Sequence, residues 1–208
     1  GGDPFQDTNE SYDPVTDVWT TRAPMLTPRQ HINCDVLDGK LYVIGGLSRQ
    51  GVSDKNEVYD PESDTWGELS RLPSPRHGCG VAAVNGKVYV LGGAQEEAIV
   101  ATVEAYNPTA DAWEAKASIP LPILEPGIAV MDGRIYVVGG QSNMADALAK
   151  VLVYDPDKDQ WSKASALPRP IQFAGVTALA GSLYIVGGCS TVFKPSSEGL
   201  IGSLGQRT

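Results

Sequence analysis

The run Lys40-Leu-Tyr-Val-Ile-Gly-Gly46 decides the fold, because the chain repeats it three more times. The copies are Lys87-Val-Tyr-Val-Leu-Gly-Gly93, Arg134-Ile-Tyr-Val-Val-Gly-Gly140 and Ser182-Leu-Tyr-Ile-Val-Gly-Gly188. The doublets end at residues 46, 93, 140 and 188, so the run recurs after 47, 47 and then 48 residues. A fixed period of this length is typical of repeat proteins, in which each unit buries its hydrophobic face only by stacking on its neighbours.

A second pattern lies between the doublets. A tyrosine is followed by Asp-Pro or Asn-Pro and, seven residues after the tyrosine, by a tryptophan. Asp or Asn before Pro favours a type I turn, so the two aromatic residues are predicted to lie on the two strands of a hairpin and to pack against each other. We expect the repeat residues to be structural: Gly45, Gly46, Tyr59, Trp66, Gly92, Gly93, Tyr106, Trp113, Gly139, Gly140, Tyr154, Trp161, Gly187 and Gly188. Tyr12 and Trp19 start the series, and a further doublet, Gly1-Gly2, precedes them.

A tight turn precedes each glycine doublet. Asp-Gly or Asn-Gly occurs at 38–39, 85–86 and 132–133, and Ala-Gly at 180–181, each between short apolar runs. Asn-Gly and Asp-Gly favour the type I′ turn of a two-residue hairpin. Each repeat therefore predicts four antiparallel strands, a to d, with short a–b and c–d turns. Four short strands per period, without helical periodicity, predict an all-β β-propeller.

The chain resembles the kelch-repeat family. The doublet after strand b, the later Tyr and Trp, and the Pro-Arg pairs Pro28-Arg29 and Pro75-Arg76 before strand a carry the resemblance, which covers residues 1–188 and implies one propeller domain of four-stranded blades. The predicted units are a half-blade at 1–20, blades at about 28–68, 75–115 and 122–163, a half-blade at 170–188 and an atypical tail at 189–208. Two arrangements are open. Either the two half-blades share one sheet and the chain closes into a four-bladed ring, or the chain is an arc of a larger propeller, which in this family commonly has six blades.

The composition argues against several classes of function. The net charge of −9 argues against nucleic acid, whose phosphates require a basic surface. The sequence contains no apolar run of the roughly 20 residues that a membrane span needs. No signal segment is present and the first residue is Gly, so we expect a processed or excised chain or a fragment. The compartment stays open, the cytoplasm being compatible with these features. Without a CxxC pair or a ligand cluster, the sequence predicts no metal and no cofactor.

The b–c loops, at about 47–56, 94–102 and 141–150, differ in length and content. Variable loops on a rigid repeat are where binding residues lie, and the d–a connections open on the same face. We therefore predict a binding site on the b–c/d–a face. Its candidate residues are Arg29, His31, Arg49, Arg76, His77, Glu125, Gln141 and Gln172.

Three functions fit these features. The favoured prediction is a non-catalytic interaction module for a protein segment or a glycan, with no catalytic residues. The kelch resemblance implies that Arg29 and Arg76 bind the carboxylates of acidic peptides, although such arginines also occur with their stems covering a neighbouring blade. An alternative is a sugar enzyme resembling the kelch-type sialic acid mutarotases or epimerases, with Glu125 as general base, His31 or His77 as acid and an arginine on the sugar carboxylate. The third is a structural fragment of a larger propeller.

Overall fold

The structure is a computed structural model that describes residues 5–96, 98–143 and 146–190. Every regular element in these ranges is a β-strand. The doublet Gly1-Gly2 and residues 191–208 of the predicted tail lie outside the described residues. Within the described part of the chain, no helical segment has the length and apolar character that crossing a membrane requires.

Twenty strands follow one another in the described part of the chain. An N-terminal hairpin consists of β1 (Glu10–Asp13) and β2 (Val18–Thr21). The next elements are β3 (Asn33–Leu37), β4 (Lys40–Ile44), β5 (Leu47–Ser48), β6 (Gly51–Val52), β7 (Asn56–Asp60) and β8 (Thr65–Glu68). They are followed by β9 (Gly80–Val84), β10 (Lys87–Leu91), β11 (Ala94–Gln95), β12 (Ala98–Ile99), β13 (Val103–Asn107) and β14 (Ala112–Lys116). The last are β15 (Gly127–Met131), β16 (Arg134–Val138), β17 (Val151–Asp155), β18 (Gln160–Lys163), β19 (Gln172–Leu179) and β20 (Ser182–Cys189).

Three antiparallel four-stranded sheets form the blades of the predicted propeller, in the orders β3-β4-β7-β8, β9-β10-β13-β14 and β15-β16-β17-β18. Each sheet follows chain order, so a–b and c–d turns share one face and b–c and d–a connections share the other. In the first blade Tyr59 pairs with Trp66 across the outer two strands, and their ring centroids lie 5.1 Å apart. The outer hairpins thus form as the tyrosine–tryptophan pattern predicts.

The cores lie between successive blades. The first strands β3, β9, β15 and β19 are neighbours in that order. One core joins side chains such as Ile44 of the first blade to Val88 and Tyr106 of the second. Another joins Tyr89 of the second blade to Tyr154 of the third. Each sheet therefore buries its faces against the sheets on either side, as a stacked repeat requires.

Three of the glycine doublets form a close backbone contact between blades. The second glycine donates its N–H to a carbonyl of the next blade, with distances of 2.9 Å for Gly46 to Arg76, 2.7 Å for Gly93 to Ile123 and 2.9 Å for Gly140 to Ile171. A Cβ on the first glycine of these three doublets would overlap the same carbonyl oxygen, whereas Gly187 of the fourth doublet has open space. The doublet is glycine because backbone meets backbone at this point.

A second contact joins the blades at their outer strands. Asp64 accepts hydrogen bonds from the Tyr59 hydroxyl at 2.7 Å and from the Ala23 N–H at 2.9 Å. Trp66 Nε1 donates to the Ala23 carbonyl at 2.7 Å, so both backbone groups of one residue in the preceding connection are bound. The same bonds link Asp111 and Trp113 to Ser70, and Asp159 and Trp161 to Ala117. The aromatic pattern therefore joins neighbouring blades as well as the strands of one hairpin.

The two half-blades do not share a sheet in the described residues. β1 and β2 form one two-stranded sheet, and β19 and β20 form another. The first hairpin is bound to the first blade through Ala23, whereas β19 lies beside β15 of the third. The hairpins thus sit at opposite ends of the array, and both expose large apolar side chains, Trp19 and Val186 among them.

We predict that alanine is far more costly in a doublet than in an a–b turn. Gly92 and Gly86 both have positive φ, +63° and +72°, but only Gly92 faces a neighbouring carbonyl, while Gly86 has open space. Gly86→Ala is expected to lower the free energy of unfolding by about 1 kcal/mol, the cost of a left-handed alanine. Gly92→Ala is expected to cost about 1–3 kcal/mol more, because the blades must separate. Urea unfolding followed by tryptophan fluorescence measures both, and equal losses would contradict the interblade role.

Candidate functional site

One backbone position at the entrance to strand a repeats in every unit. His31, Gly78, Glu125 and Phe173 occupy it, with φ of 51°, 58°, 51° and 55°. Gly78 N–H donates to the His31 carbonyl at 3.1 Å, and Glu125 N–H donates to the Gly78 carbonyl at 2.8 Å. The first three residues thus form a hydrogen-bonded row across three blades. Glycine is the residue that this left-handed backbone favours, so His31 and Glu125 hold side chains there at an energetic cost.

Two of these side chains meet. His31 Nδ1 lies 3.0 Å from Glu125 Oε1. The two residues are 94 positions apart and stand at the entrances of the first and the third blade. The His31 side chain is 48% exposed and that of Glu125 is 18% exposed. When Nδ1 carries the proton, it donates to the carboxylate and leaves Nε2 as the acceptor, the arrangement of a carboxylate-oriented imidazole.

Gly78 makes this meeting possible. A Cβ at position 78 would lie 2.8 Å from Glu125 Oε1 and 2.6 Å from Leu124 Cδ1. Any larger residue in the second blade would therefore displace the carboxylate that reaches from the third blade to the first.

His77 completes the group, which we call the axial cluster: His31, His77 and Glu125. The His77 and His31 rings contact edge to face, with centroids 5.8 Å apart. Burial, and secondarily the neighbouring His31, lower the pKa of His77, while Glu125 opposes this effect. His77 is therefore neutral at neutral pH. Its Nδ1 is buried without a hydrogen-bond partner. Among the described residues, no three His, Cys, Asp or Glu side chains are placed to hold a metal ion.

An open groove of about 890 Å³ lies beside the axial cluster on the b–c/d–a face. Its lining consists of Leu47, Gln50, Gly51, Val52, Pro75, His77, Gln95, Glu96 and Ala98. The b–c connections that form its walls are not irregular loops but two-stranded ribbons, β5–β6 and β11–β12. Each ribbon is tied to the entrance of strand a by paired backbone hydrogen bonds, Gln30 with Leu47 and His77 with Ala94. The walls of the groove are thus held by the blades.

Arg29 and Arg76 are buried, and this corrects the role predicted for them. Arg29 is paired with Glu57 at 2.8 Å, and both side chains are fully buried. Its Nη1 also donates to the Gly45 carbonyl at 2.8 Å. Arg76 is paired with Glu104 at 2.8 Å and donates to Thr102 Oγ1 at 2.7 Å. Burial lowers the pKa of both arginines, and the paired carboxylates oppose this. The guanidinium groups are internal cations, so they are inaccessible to a ligand carboxylate.

The other predicted residues are spread over the same face. Gln141 is buried at the start of the b–c connection of the third blade and Gln172 at the start of β19, and both have side-chain atoms that lack hydrogen-bond partners. Arg49 is exposed at the turn between β5 and β6. The structure therefore brings together three of the eight predicted residues, and one of these, His77, also lines the groove.

The sequence analysis missed Gly78 and the ribbons. Gly78 had a visible signal, because it is a glycine at the repeat position that holds His31 and Glu125 in other units. The ribbons had none, since their two-residue strands are too short for an alternating pattern to emerge.

Comparison with known proteins now identifies the family. The Kelch motif model matches residues 28–73, 75–120 and 124–168, which is more than half of the chain. The chain belongs to the kelch family. Each match contains one of the four-stranded sheets described above, so the kelch repeat and the blade coincide.

Curated relatives match over segments shorter than one repeat period. The influenza virus NS1A-binding protein homolog of Mus musculus is 56% identical over 39 residues, 19% of this chain and 6% of that protein. The Kelch-like ECH-associated protein 1A of Danio rerio is 46% identical over 35 residues, 17% of this chain and 6% of that protein. Their names describe association with other proteins. The aligned segments span only a small part of either relative.

The solved structure of YjhT shares the fold. It superimposes with a TM-score of 0.77 at 18% sequence identity, covering 89% of this chain and 73% of that one. Similarity at this identity supports the propeller architecture of this kelch chain and nothing about its ligand.

The third blade suggests a test of the buried ion pairs. Arg29 and Arg76 correspond by repeat to Ile123, and Glu57 and Glu104 to Leu152, and both apolar residues are buried in one core. The kelch blade therefore accepts either an ion pair or an apolar pair at this place.

We predict that Arg29→Ile alone lowers the free energy of unfolding by about 3–5 kcal/mol, because Glu57 becomes an unpaired buried charge. Arg29→Ile with Glu57→Leu is expected to recover most of this loss, because no charge then stays buried. Urea unfolding of the single and double variants measures the difference. A double variant as unstable as the single one would show that the bonds of Arg29 to backbone carbonyls matter more than its charge.

Proposed function

We propose that this kelch chain is a non-catalytic interaction module that binds an extended segment of a partner protein. The segment lies in the groove between the β5–β6 and β11–β12 ribbons, on the b–c/d–a face. The groove itself is the observation that carries this proposal: it combines a ligand-sized volume of about 890 Å³ with walls fastened to rigid sheets.

The lining suits a peptide. Leu47, Val52, Pro75 and Ala98 offer apolar surface for alternate side chains of an extended chain. The amides of Gln50 and Gln95 can donate to and accept from the backbone of that chain. Kelch relatives whose names describe protein association agree with a protein partner.

The test fills the groove with a bulky side chain. Ala98→Trp places an indole in the groove, whereas Ala110→Trp places one on an exposed c–d turn of the opposite face. Linear peptides selected from a random display library are labelled and titrated by fluorescence anisotropy. We expect Ala98→Trp to weaken their binding at least about tenfold, a change of about 1.4 kcal/mol, and Ala110→Trp to leave it unchanged.

Two results would contradict the proposal. If the selection enriches no peptide, the ligand is not a peptide. If the two variants have equal effects on binding, the peptide does not bind in the groove. Glycans that bind in an array and are lost only in Ala98→Trp would move the partner class from protein to carbohydrate.

The contact between His31 and Glu125 supports a second candidate, an acid–base site for a sugar. The roles in this candidate differ from those assigned from sequence: Glu125 orients His31, whose side chain is 48% exposed, and Nε2 of His31 is the group that exchanges protons. The arginine expected to hold a sugar carboxylate is missing from this arrangement, because Arg29 and Arg76 are buried.

Anomer exchange of sialic acid, followed by NMR with and without the protein, tests this candidate. Catalysis by the pair predicts an accelerated exchange that Glu125→Gln slows by about 10²-fold or more, the usual contribution of a general acid or base. An exchange rate unaffected by the protein eliminates the sugar enzyme.

A further inference from the structure

We propose that the segment bound in the groove is basic, and that the axial cluster is the subsite for its lysine or arginine side chain. This inference rests on the proposed function and adds the chemical class of the partner. The site that sequence analysis predicted to recognise an acidic peptide is thereby assigned the opposite preference.

Continuity between the groove and the cluster is the first support. His77 belongs to both: its side chain lines the groove, and its ring contacts His31 at 5.8 Å between centroids. A side chain that leaves an extended segment beside His77 therefore reaches the His31–Glu125 pair without leaving this face of the molecule.

Charge is the second support. The described lining of the groove includes the carboxylate of Glu96 and neither lysine nor arginine. The axial cluster adds the carboxylate of Glu125. Arg29 and Arg76, the arginines nearest in sequence to His31 and His77, have their charges matched inside the blades by Glu57 and Glu104. Arg49 is exposed on the turn beside Gln50 and is not among the lining residues. Together with a net charge of −9 for the whole chain, this arrangement attracts cations and disfavours acidic segments.

The construction of the cluster is the third support. Glu125 reaches His31 only because position 78 is glycine, and His31 and Glu125 both occupy left-handed positions that cost side-chain-bearing residues energy. A carboxylate can accept as many as about four hydrogen bonds, and the contact with His31 uses one of its oxygens. An ammonium or guanidinium group can therefore bind the carboxylate while His31 holds it in place.

The experiment uses three pools of labelled octapeptides, identical except for lysine, norleucine or glutamate at a central position, with small and apolar residues elsewhere. Each pool is titrated against the full chain by fluorescence anisotropy at neutral pH. We expect the lysine pool to bind at least tenfold more tightly than the norleucine pool, and the glutamate pool to bind most weakly.

Two carboxamide variants locate the charge that selects lysine. Glu125→Gln removes the carboxylate of the cluster and keeps its shape, so the lysine pool should fall to the affinity of the norleucine pool. Glu62→Gln removes the same charge from an exposed c–d turn on the opposite face and is expected to change nothing. Equal effects of the two variants would reduce the preference to net charge and overturn the subsite.

The outcomes separate this inference from the function on which it rests. If the norleucine and lysine pools bind equally well and Ala98→Trp abolishes that binding, the segment is not basic. The groove is then still a peptide site. Failure of all three pools to bind overturns the groove as a peptide site, and the inference with it.

Discussion

The contact on which the structure depends is the one between a glycine doublet and a single carbonyl of the next unit, which the first three doublets make. The carbonyls of Arg76, Ile123 and Ile171 each receive one of these N–H groups and lie where a Cβ would otherwise be. This contact sets the spacing between blades. Two residues after each contacted carbonyl, at Gly78, Glu125 and Phe173, the backbone passes through the left-handed position into strand a. The axial cluster exists because this position recurs at the same place in successive blades.

The same geometry explains why the guanidinium groups of the two Pro-Arg pairs are buried and not presented to a ligand. The residue after the proline points its side chain into its own blade, where Arg29 meets Glu57 and Arg76 meets Glu104. In the third blade Ile123 and Leu152 fill the equivalent space. A buried ion pair and an apolar pair are interchangeable solutions for such a space, provided that both partners change together. A repeat can therefore display a charged residue for reasons of packing alone.

Burying these cations has an electrostatic consequence for the surface above them. With their charges matched internally, the described lining of the groove keeps the carboxylate of Glu96 and the axial cluster that of Glu125, while the exposed Arg49 lies on the neighbouring β5–β6 turn. The repeat scaffold is shared by the kelch family, whereas the residues at positions 31, 78 and 125 differ from blade to blade. The proposed function of this chain thus rests on the differences between repeats, and its stability on what the repeats have in common.

The sequence by itself determined the architecture, because a periodic pattern of turns and apolar runs is a local property that every repeat restates. The doublets, the Asp-Gly and Asn-Gly turns and the Tyr–Trp spacing predicted four antiparallel strands per unit, and the kelch family and propeller fold are confirmed. The face on which the site is proposed also came from the sequence, since antiparallel strands alternate ends, and so did the three residues of the axial cluster. Only the tertiary structure decided which charged residues are accessible and which meet. Arg29 and His31 are two positions apart in the chain, yet one is buried and the other exposed, while His31 and Glu125 are 94 apart and in contact. Burial and contact between blades follow from how sheets stack around an axis, and no spacing along a single chain encodes that directly.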